Sequence, residues 1–521
     1  MKTDQSGLLE KIYLLSPAFL LTLASLLHTY AIASVVSSPE HVIQLLAILW
    51  VILLFLIWPA YIFTHDWRQV GFLLCIFVIG FYLTEKFFYI VFIFSGLVFS
   101  AWFFVFYLRK HHLRMIQVTF LSNVIVIMLL VLTGIQIVPA FLLVKWPAYW
   151  NKLSDTKKNL PVAAALPENK PDIYYIILDA YGRSDILQEY YQYDNSEFIE
   201  SLTKKGFFVP SKSHSNYPMT TLSVPTTLNM DYAPNIVAGT EDSSFWWLME
   251  PYIQESRVQL FLENAGYRSV SVVTDWDITN NTSADIYFQS RPIRLDGFEG
   301  SFLQTTALSM FTPLLEKIAL LASYNSHREL ILYNFEMLAN IPKISGPKFV
   351  FAHITAPHPP FIFDRNGNQL IPAYNFGIVD GNSFPGTDAQ YRAGYIGQLE
   401  FINREVEKTI DMILAQSQTP PIIILQADHG PRMLSDFQFP ENVCPKEGFS
   451  NFAAYYLPGL KTNPIPDEIT PVNTFRIIFN QYFSTDLPLL ESVSYAPEDS
   501  IYIYRTKSIQ SRLSDECIPQ P

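Results

Sequence analysis

Apolar residues are spread unevenly along the chain: positions 11 to 144 are almost wholly apolar, whereas the remainder alternates short apolar runs with polar stretches. The apolar region divides into five spans at about 12–35, 42–64, 70–84, 87–108 and 116–143, most of them near the roughly 20 residues a helix needs to cross the hydrocarbon core. The third is the shortest. Basic residues flank the spans asymmetrically: Lys2 and Lys11 precede the first, Arg68 separates the second from the third, and Arg109, Lys110 and Arg114 separate the fourth from the fifth. The connection at 37–41 carries no Lys or Arg. Positive charge stays inside, so this pattern predicts a cytoplasmic amino terminus and an extracytoplasmic location for everything after Lys145. Ala31-Ile-Ala33 resembles a cleavage site, but the further spans favour a retained helix. Ionisable groups at mid-membrane depth are sparse, with His28 the one to query, so the bundle reads as an anchor in a plasma or inner membrane rather than an ion pathway.

Beyond the bundle (1–145), residues 146–170 read as a polar, Pro-punctuated linker, and 171–521 as the extracytoplasmic catalytic domain. Asp172-Ile-Tyr-Tyr-Ile-Ile-Leu-Asp179 is a buried strand ending in an acid. Arg257 to Ala265 is a helix stopped by Gly266 and followed by another strand. Two more strands, Lys348-Phe-Val-Phe-Ala-His-Ile and Pro421-Ile-Ile-Ile-Leu-Gln, frame a long helix at about 388–416, where Leu399, Ile402, Val406, Ile410 and Ile413 keep helical spacing. This alternation predicts an α/β domain with a central, mostly parallel sheet. The stretch after Pro458, rich in Pro and Tyr, is expected to give peripheral strands and loops.

Net charge sharpens the picture of partners. A formal charge of −12 over 521 residues argues against nucleic acid. Of three cysteines, Cys75 lies in a span, while Cys444 and Cys517 share the outer half, where an oxidising compartment permits them to pair.

Candidate chemistry gathers at strand ends. Asp428-His429-Gly430 closes the apolar run from Pro421, the place where open α/β sheets carry their sites. Carboxylate and imidazole together suit a divalent cation able to activate a hydroxyl against a phosphate or sulfate ester. Asp179, the Thr220 region, and His353 with His358 complete a set of four such segments.

Their order resembles the alkaline phosphatase superfamily, in its sulfatase-like membrane branch that includes lipoteichoic acid synthases and lipid A phosphoethanolamine transferases. The resemblance implies that Asp179, Thr220, Asp428 and His429 bind one divalent metal ion (Mn, Zn or Mg) and that Thr220 is the nucleophile. Ser223, three residues on, matches the family spacing for Thr220, whereas Thr221 would pair with Val224. His358 corresponds to a residue that donates to a phosphoryl oxygen or protonates the leaving group. His353 is a substrate-side or supporting histidine, or a buried structural one. Arg183 either neutralises substrate charge or forms a surface ion pair. Two departures matter. No Cys/Ser-x-Pro-x-Arg motif is present at the nucleophile, and the first ligand is Asp where the two transferase families use Glu.

Together these features predict a membrane-anchored, metal-dependent phosphotransferase or phosphodiesterase acting on a lipid-linked or envelope phosphoester. A sulfuric ester hydrolase and a catalytically inert envelope receptor or assembly protein are the alternatives.

Overall fold

The computed structural model describes residues 2–33, 37–82, 115–290, 295, 297–317, 322–374, 376–435, 444–515 and 517. The chain divides into two compact units, one of residues 1–142 with 293–322, the other of residues 143–292 with 323–521.

In the first unit, α1 (Lys2–Ala33), α2 (Pro39–Thr64), α3 (Trp67–Tyr82) and α4 (Met115–Leu143) follow the apolar runs. Three of them contain stretches long and apolar enough to cross a membrane: Gly7–Ala31, Pro39–Thr64 and Gln117–Leu143. The third expected span is a helix of only 16 residues, short of the roughly 20 needed for an untilted crossing. The fourth, at 87–108, lies outside the described residues, so three spans rather than five are defined by length and composition. Ala18, Leu53, Val70, Leu74 and Val78 form the packed seam of α1, α2 and α3. Outward-facing Phe55, Phe63 and Leu142 are largely exposed, as expected of side chains whose solvent is lipid.

Six strands make the sheet of the second unit: β1 (Ile173–Leu178), β2 (Arg268–Val272), β3 (Ile286–Phe288), β4 (Lys348–Ile354), β5 (Ile422–Gln426) and β6 (Ala453–Tyr456). Their order is β3-β2-β4-β1-β5-β6. All neighbours run parallel except β5 and β6. β1 is buried along its whole length, which explains its unbroken apolar sequence, because helices cover both faces of a parallel sheet. Ile173, Tyr175 and Ile177 face one side, against α6 (Thr220–Asn229), α7 (Arg257–Asn264) and α10 (Pro471–Phe483). Tyr174, Ile176 and Leu178 face the other, against α8 (Tyr324–Asn340) and α9 (Asp388–Gln416).

Local signals account for the helix limits. Thr387 caps α9 in a reciprocal capping box with Gln390, which fixes the start of the predicted 388–416 helix. Ser256 caps α7 by accepting from the Gln259 amide, and Gly266 follows it at φ +85°.

Three segments depart from expectation. Residues 146–158 are helical (α5, Trp146–Lys158), with Tyr149 and Leu153 buried. Here the Tyr149 hydroxyl donates to the Leu248 carbonyl, so tertiary packing gives a polar segment a helix. The stretch after Pro458 contributes α10, whose Phe475, Ile478 and Phe479 sit in the core, as well as a β-hairpin. Residues 293–322 belong with the apolar helices rather than with the sheet.

Candidate active site

β4, β1 and β5 are adjacent and parallel, so their carboxyl ends coincide. Asp179 follows β1 directly, and its amide donates to the Ile354 carbonyl at the end of β4 (3.0 Å). Ala180 then turns through the left-handed region at φ +59°, an unfavourable conformation for a side chain with a Cβ. Its amide donates to Asp428 Oδ1 (3.3 Å). That contact ties the end of β1 to the end of β5.

Asp428 anchors the start of α6 twice. Oδ2 accepts from the Thr220 hydroxyl at 2.7 Å, and its backbone carbonyl accepts from Ser223 Oγ at 2.6 Å. Thr220 is the first residue of the helix, and Ser223 lies one turn later on the same face. Thr221 Oγ1 is buried without a hydrogen-bond partner. Gly430 is dictated by space, since a Cβ there would lie 2.1 Å from the Glu447 carbonyl oxygen.

Asp179, Asp428 and His429 are all buried, and one ligand atom from each lies within 4.8 Å of the others. Asp179 Oδ1 and His429 Nε2 have no hydrogen-bond partner, an arrangement that is costly unless something else satisfies both. His429 Nδ1 lies 2.8 Å from the Gly430 carbonyl, which only a protonated Nδ1 can satisfy. Nε2 is thereby left with its lone pair. Burial, offset in part by Asp428, pushes this imidazole below its usual pKa and keeps it neutral at neutral pH. Burial works against the charge of Asp179, but His358, His353 and His429 outweigh it and hold that carboxyl well below the usual range. Two carboxylates and a neutral imidazole fit a single divalent cation in both charge and donor type.

The sequence-predicted histidines take different positions. His353 Nε2 lies 3.2 Å from Asp179 Oδ2, and its Nδ1 lies 2.8 Å from Thr279 Oγ1. It is fully buried and supports Asp179. His358 lines the cavity beside Asp179 and Thr220. Its Nε2 accepts from Arg432 (3.2 Å) and stands 3.5 Å from Asp380 Oδ2. Arg183 is directed elsewhere: its guanidinium forms a two-point ion pair with Asp185 (2.7 Å each) and donates to the Ser213 carbonyl. It is absent from the cavity lining.

Two side chains that line the cavity were not singled out from sequence. Arg432 Nε pairs with Asp380 Oδ2 at 2.9 Å, and Nη1 donates to the Pro218 carbonyl, two residues before Thr220. Asp380 also accepts from the Tyr391 hydroxyl (2.6 Å) and the Gly381 amide. Burial opposes its charge, but Arg432 and His358 hold the carboxyl below its ordinary range. Arg432 was within reach of a sequence reading, four residues after Asp428 in the same run; Asp380 sits in a loop with no periodic signal. The cavity they border measures about 360 Å³ and has a largely apolar wall that includes Met219, Trp246, Trp276, Ile378 and Val379.

The Sulfatase family model matches residues 171–484. No curated protein matches the chain. Among solved structures, the C-terminal periplasmic domain of EcEptC from Escherichia coli is similar at 12% identity and TM-score 0.43, covering 69% of this chain and 99% of that one. The C-terminal periplasmic domain of phosphoethanolamine transferase EptC from Campylobacter jejuni is similar at 14% identity and TM-score 0.39, covering 66% and 97%. Lipoteichoic acid synthase LtaP from Listeria monocytogenes is similar at 10% identity and TM-score 0.39, covering 68% and 84%.

Proposed function

The chain belongs to the sulfatase family, and from that premise we propose that it is a membrane-anchored phosphotransferase or phosphodiesterase in which Thr220 attacks a lipid-linked or envelope phosphoester. The observation that carries the reading is the 2.7 Å bond from Thr220 Oγ1 to Asp428 Oδ2, made beside the unsatisfied atoms of Asp179 and His429. Asp179, Asp428 and His429, with the Thr220 hydroxyl, would hold one divalent ion, Mn, Zn or Mg. When bound, such an ion supplies Lewis acidity that lowers the threonine pKa and polarises an ester oxygen.

The chain's own residues divide the remaining work. Asp428 Oδ2 accepts the Thr220 proton and aims Oγ1, while Ser223 fixes Asp428 from behind. Attack on phosphorus breaks the bond to the leaving oxygen and gives a phosphodiester of Thr220. His358 Nε2, which accepts from Arg432 beside Asp380, exchanges that contact for a proton and then donates to a phosphoryl oxygen or protonates the leaving oxygen. An acceptor hydroxyl or water then releases the phosphoryl group from Thr220. Arg432 is the one Lys or Arg among the described cavity residues, and Asp380 already neutralises it. This balance suits a singly charged phosphodiester better than a doubly charged monoester.

Residue identity disfavours the sulfatase alternative, because a threonine cannot be oxidised to formylglycine. In this reading the anchor at 1–145 comprises five spans with a cytoplasmic amino terminus, and the catalytic domain from 171 onward is extracytoplasmic. Anchoring raises the local concentration of lipid-linked donors and of bilayer-borne substrate.

The test uses the full-length protein in detergent with Mn, Zn or Mg and bis-p-nitrophenyl phosphate. Metal-dependent turnover that Thr220→Ala and Asp428→Asn both abolish is the expected result. Sulfate release from p-nitrophenyl sulfate would favour the sulfuric ester reading, and a wild-type protein that neither binds metal nor turns over would favour the inert one.

A further inference from the structure

Residues 293–322 interrupt the sequence of the sheet-bearing unit, yet they pack with the apolar helices. In helix Gly297–Gln304, Phe298 and Phe302 are almost fully buried in one cluster with Leu26, Tyr30 and Val42. Phe298 meets Tyr30 edge-on at 5.7 Å, and Phe302 meets Tyr82 in the same way at 5.8 Å. Glu299 pairs with His41 at 2.7 Å.

These partners share a geometric property. Tyr30 is near the end of α1, His41 and Val42 are at the start of α2, Tyr82 closes α3, and Phe141, packed against the same cluster, is near the end of α4. For α1, α2 and α3 alternating in direction through a bilayer, the positions on them are the same side, the side on which charge asymmetry puts the outside, and Phe141 joins them there by packing against the same cluster. The segment therefore covers the outer ends of the helices. Beyond helix Gly297–Gln304 the chain is apolar and open. Between 300 and 321 the sequence has only two charged residues, Glu316 and Lys317. Met310, Phe311 and Leu314 are 45%, 44% and 54% exposed. Leu142, one residue beyond the cluster member Phe141, is 77% exposed. A water-facing loop would not cluster such side chains, because exposed apolar groups at one place mark a contact surface.

We infer that residues 305–317 form an interfacial membrane element, which buries Met310, Phe311 and Leu314 among the acyl chains at the outer face of the bilayer. Lipid is the occupant because the element is built onto the rim of helices whose own outward side chains are lipid-facing. Short apolar segments carrying a terminal Lys bind at this depth, with the ammonium directed to the headgroups. The inference rests on the apolar helices lying in a bilayer, and its test reads that premise separately.

Cys444 and Cys517 are joined by a disulfide and Cys75 is a free thiol, so full-length protein with Cys75→Ser and the disulfide intact is reconstituted into phosphatidylethanolamine and phosphatidylglycerol vesicles. A nitroxide is attached at Leu314→Cys, Met310→Cys, Leu142→Cys or Ile501→Cys, and its collision rates with oxygen and with a water-soluble nickel chelate are compared. Leu142 reports the membrane helices and Ile501, 54% exposed on the sheet-bearing unit, reports water. The expected result is an oxygen-to-nickel ratio at Leu314 and Met310 several-fold above that at Ile501. Ratios at both positions equal to that at Ile501, with Leu142 high, would overturn the interfacial element alone. A Leu142 ratio as low as that at Ile501 would overturn the premise with it.

Discussion

The Thr220 hydroxyl donates to Oδ2 of Asp428 across 2.7 Å, joining the first residue of α6 to the end of β5. Its neighbour Thr221 has the same side chain and is likewise buried, but has no partner for Oγ1. The two are distinguished by the direction in which the first helical turn points them. Thr221→Val is therefore expected to keep wild-type turnover, whereas Thr220→Val loses it. Removing an unsatisfied buried hydroxyl at constant shape should leave stability unchanged or raise it by about 1 kcal/mol. Kinetics with bis-p-nitrophenyl phosphate and thermal unfolding of both variants check the pair. Loss of activity in Thr221→Val alone would reverse the assignment.

Arg432 and Asp380 form a buried ion pair that also touches His358 and the Pro218 carbonyl. Arg432→Ala leaves Asp380 charged and unpaired, which should cost about 3–5 kcal/mol. The double variant Arg432→Met with Asp380→Asn should be more stable than Arg432→Ala, because no isolated charge remains. Both should lose catalysis, since His358 loses its contact with Arg432 in each. Urea unfolding and kcat compared across the three proteins separate the structural loss from the catalytic one.

Burial pushes the Glu447 carboxyl up to about 8, against hydrogen bonds from the Tyr191 hydroxyl and the Leu434 and Met433 amides. An unfolded chain releases the same proton near 4.5. Between those values the folded state holds a proton that the unfolded state lacks, so Glu447 reduces stability as pH rises from about 4.5 to about 8. The slope approaches about 1.4 kcal/mol per pH unit at most. Glu447→Gln is expected to gain Tm relative to wild type across this window and to hold a constant difference above it. His429, depressed by burial, destabilises both proteins alike as pH falls below its usual range and cancels in the comparison. Asp380 acts only at more acidic pH, since its carboxyl is held below the ordinary range. A Tm difference independent of pH would contradict the argument.

Chelation bears on the cluster itself. With no cation, Asp179 and Asp428 face each other uncompensated except by histidines. Adding Mn or Zn to chelator-treated protein should therefore raise Tm, and Asp179→Asn should lessen the rise. Mass action predicts a gain of about 2.7 kcal/mol at a hundredfold excess over Kd. A metal-dependent shift of equal size in Asp179→Asn would remove Asp179 from the ligand set.

Much of the fold was legible because its signals are local. The β-branched runs at 173–178 and 422–426 need both faces covered, and the 388–416 helix carries its cap and its apolar stripe in sequence. Asp179, Asp428 and His429 could be read for the same reason, each at the end of such a run. Asp380 could not be, because its pairing with Arg432 joins residues 52 apart through a loop that has no periodicity. α10 was hidden by flanking prolines, although Phe475, Ile478, Phe479 and Phe483 have helical spacing. Residues 293–322 looked like part of the outer domain since chain order alone cannot report which unit a segment packs with. Arg183 was ambiguous in sequence, and the nearby Asp185 decided it.

The most direct test of the central claim is to quench full-length protein in acid during turnover of bis-p-nitrophenyl phosphate and to map covalent adducts by mass spectrometry. The account predicts a p-nitrophenyl phosphodiester on Thr220, absent in Thr220→Ala and in chelator-treated enzyme. An adduct on another residue, or undiminished turnover in Thr220→Ala, would contradict it.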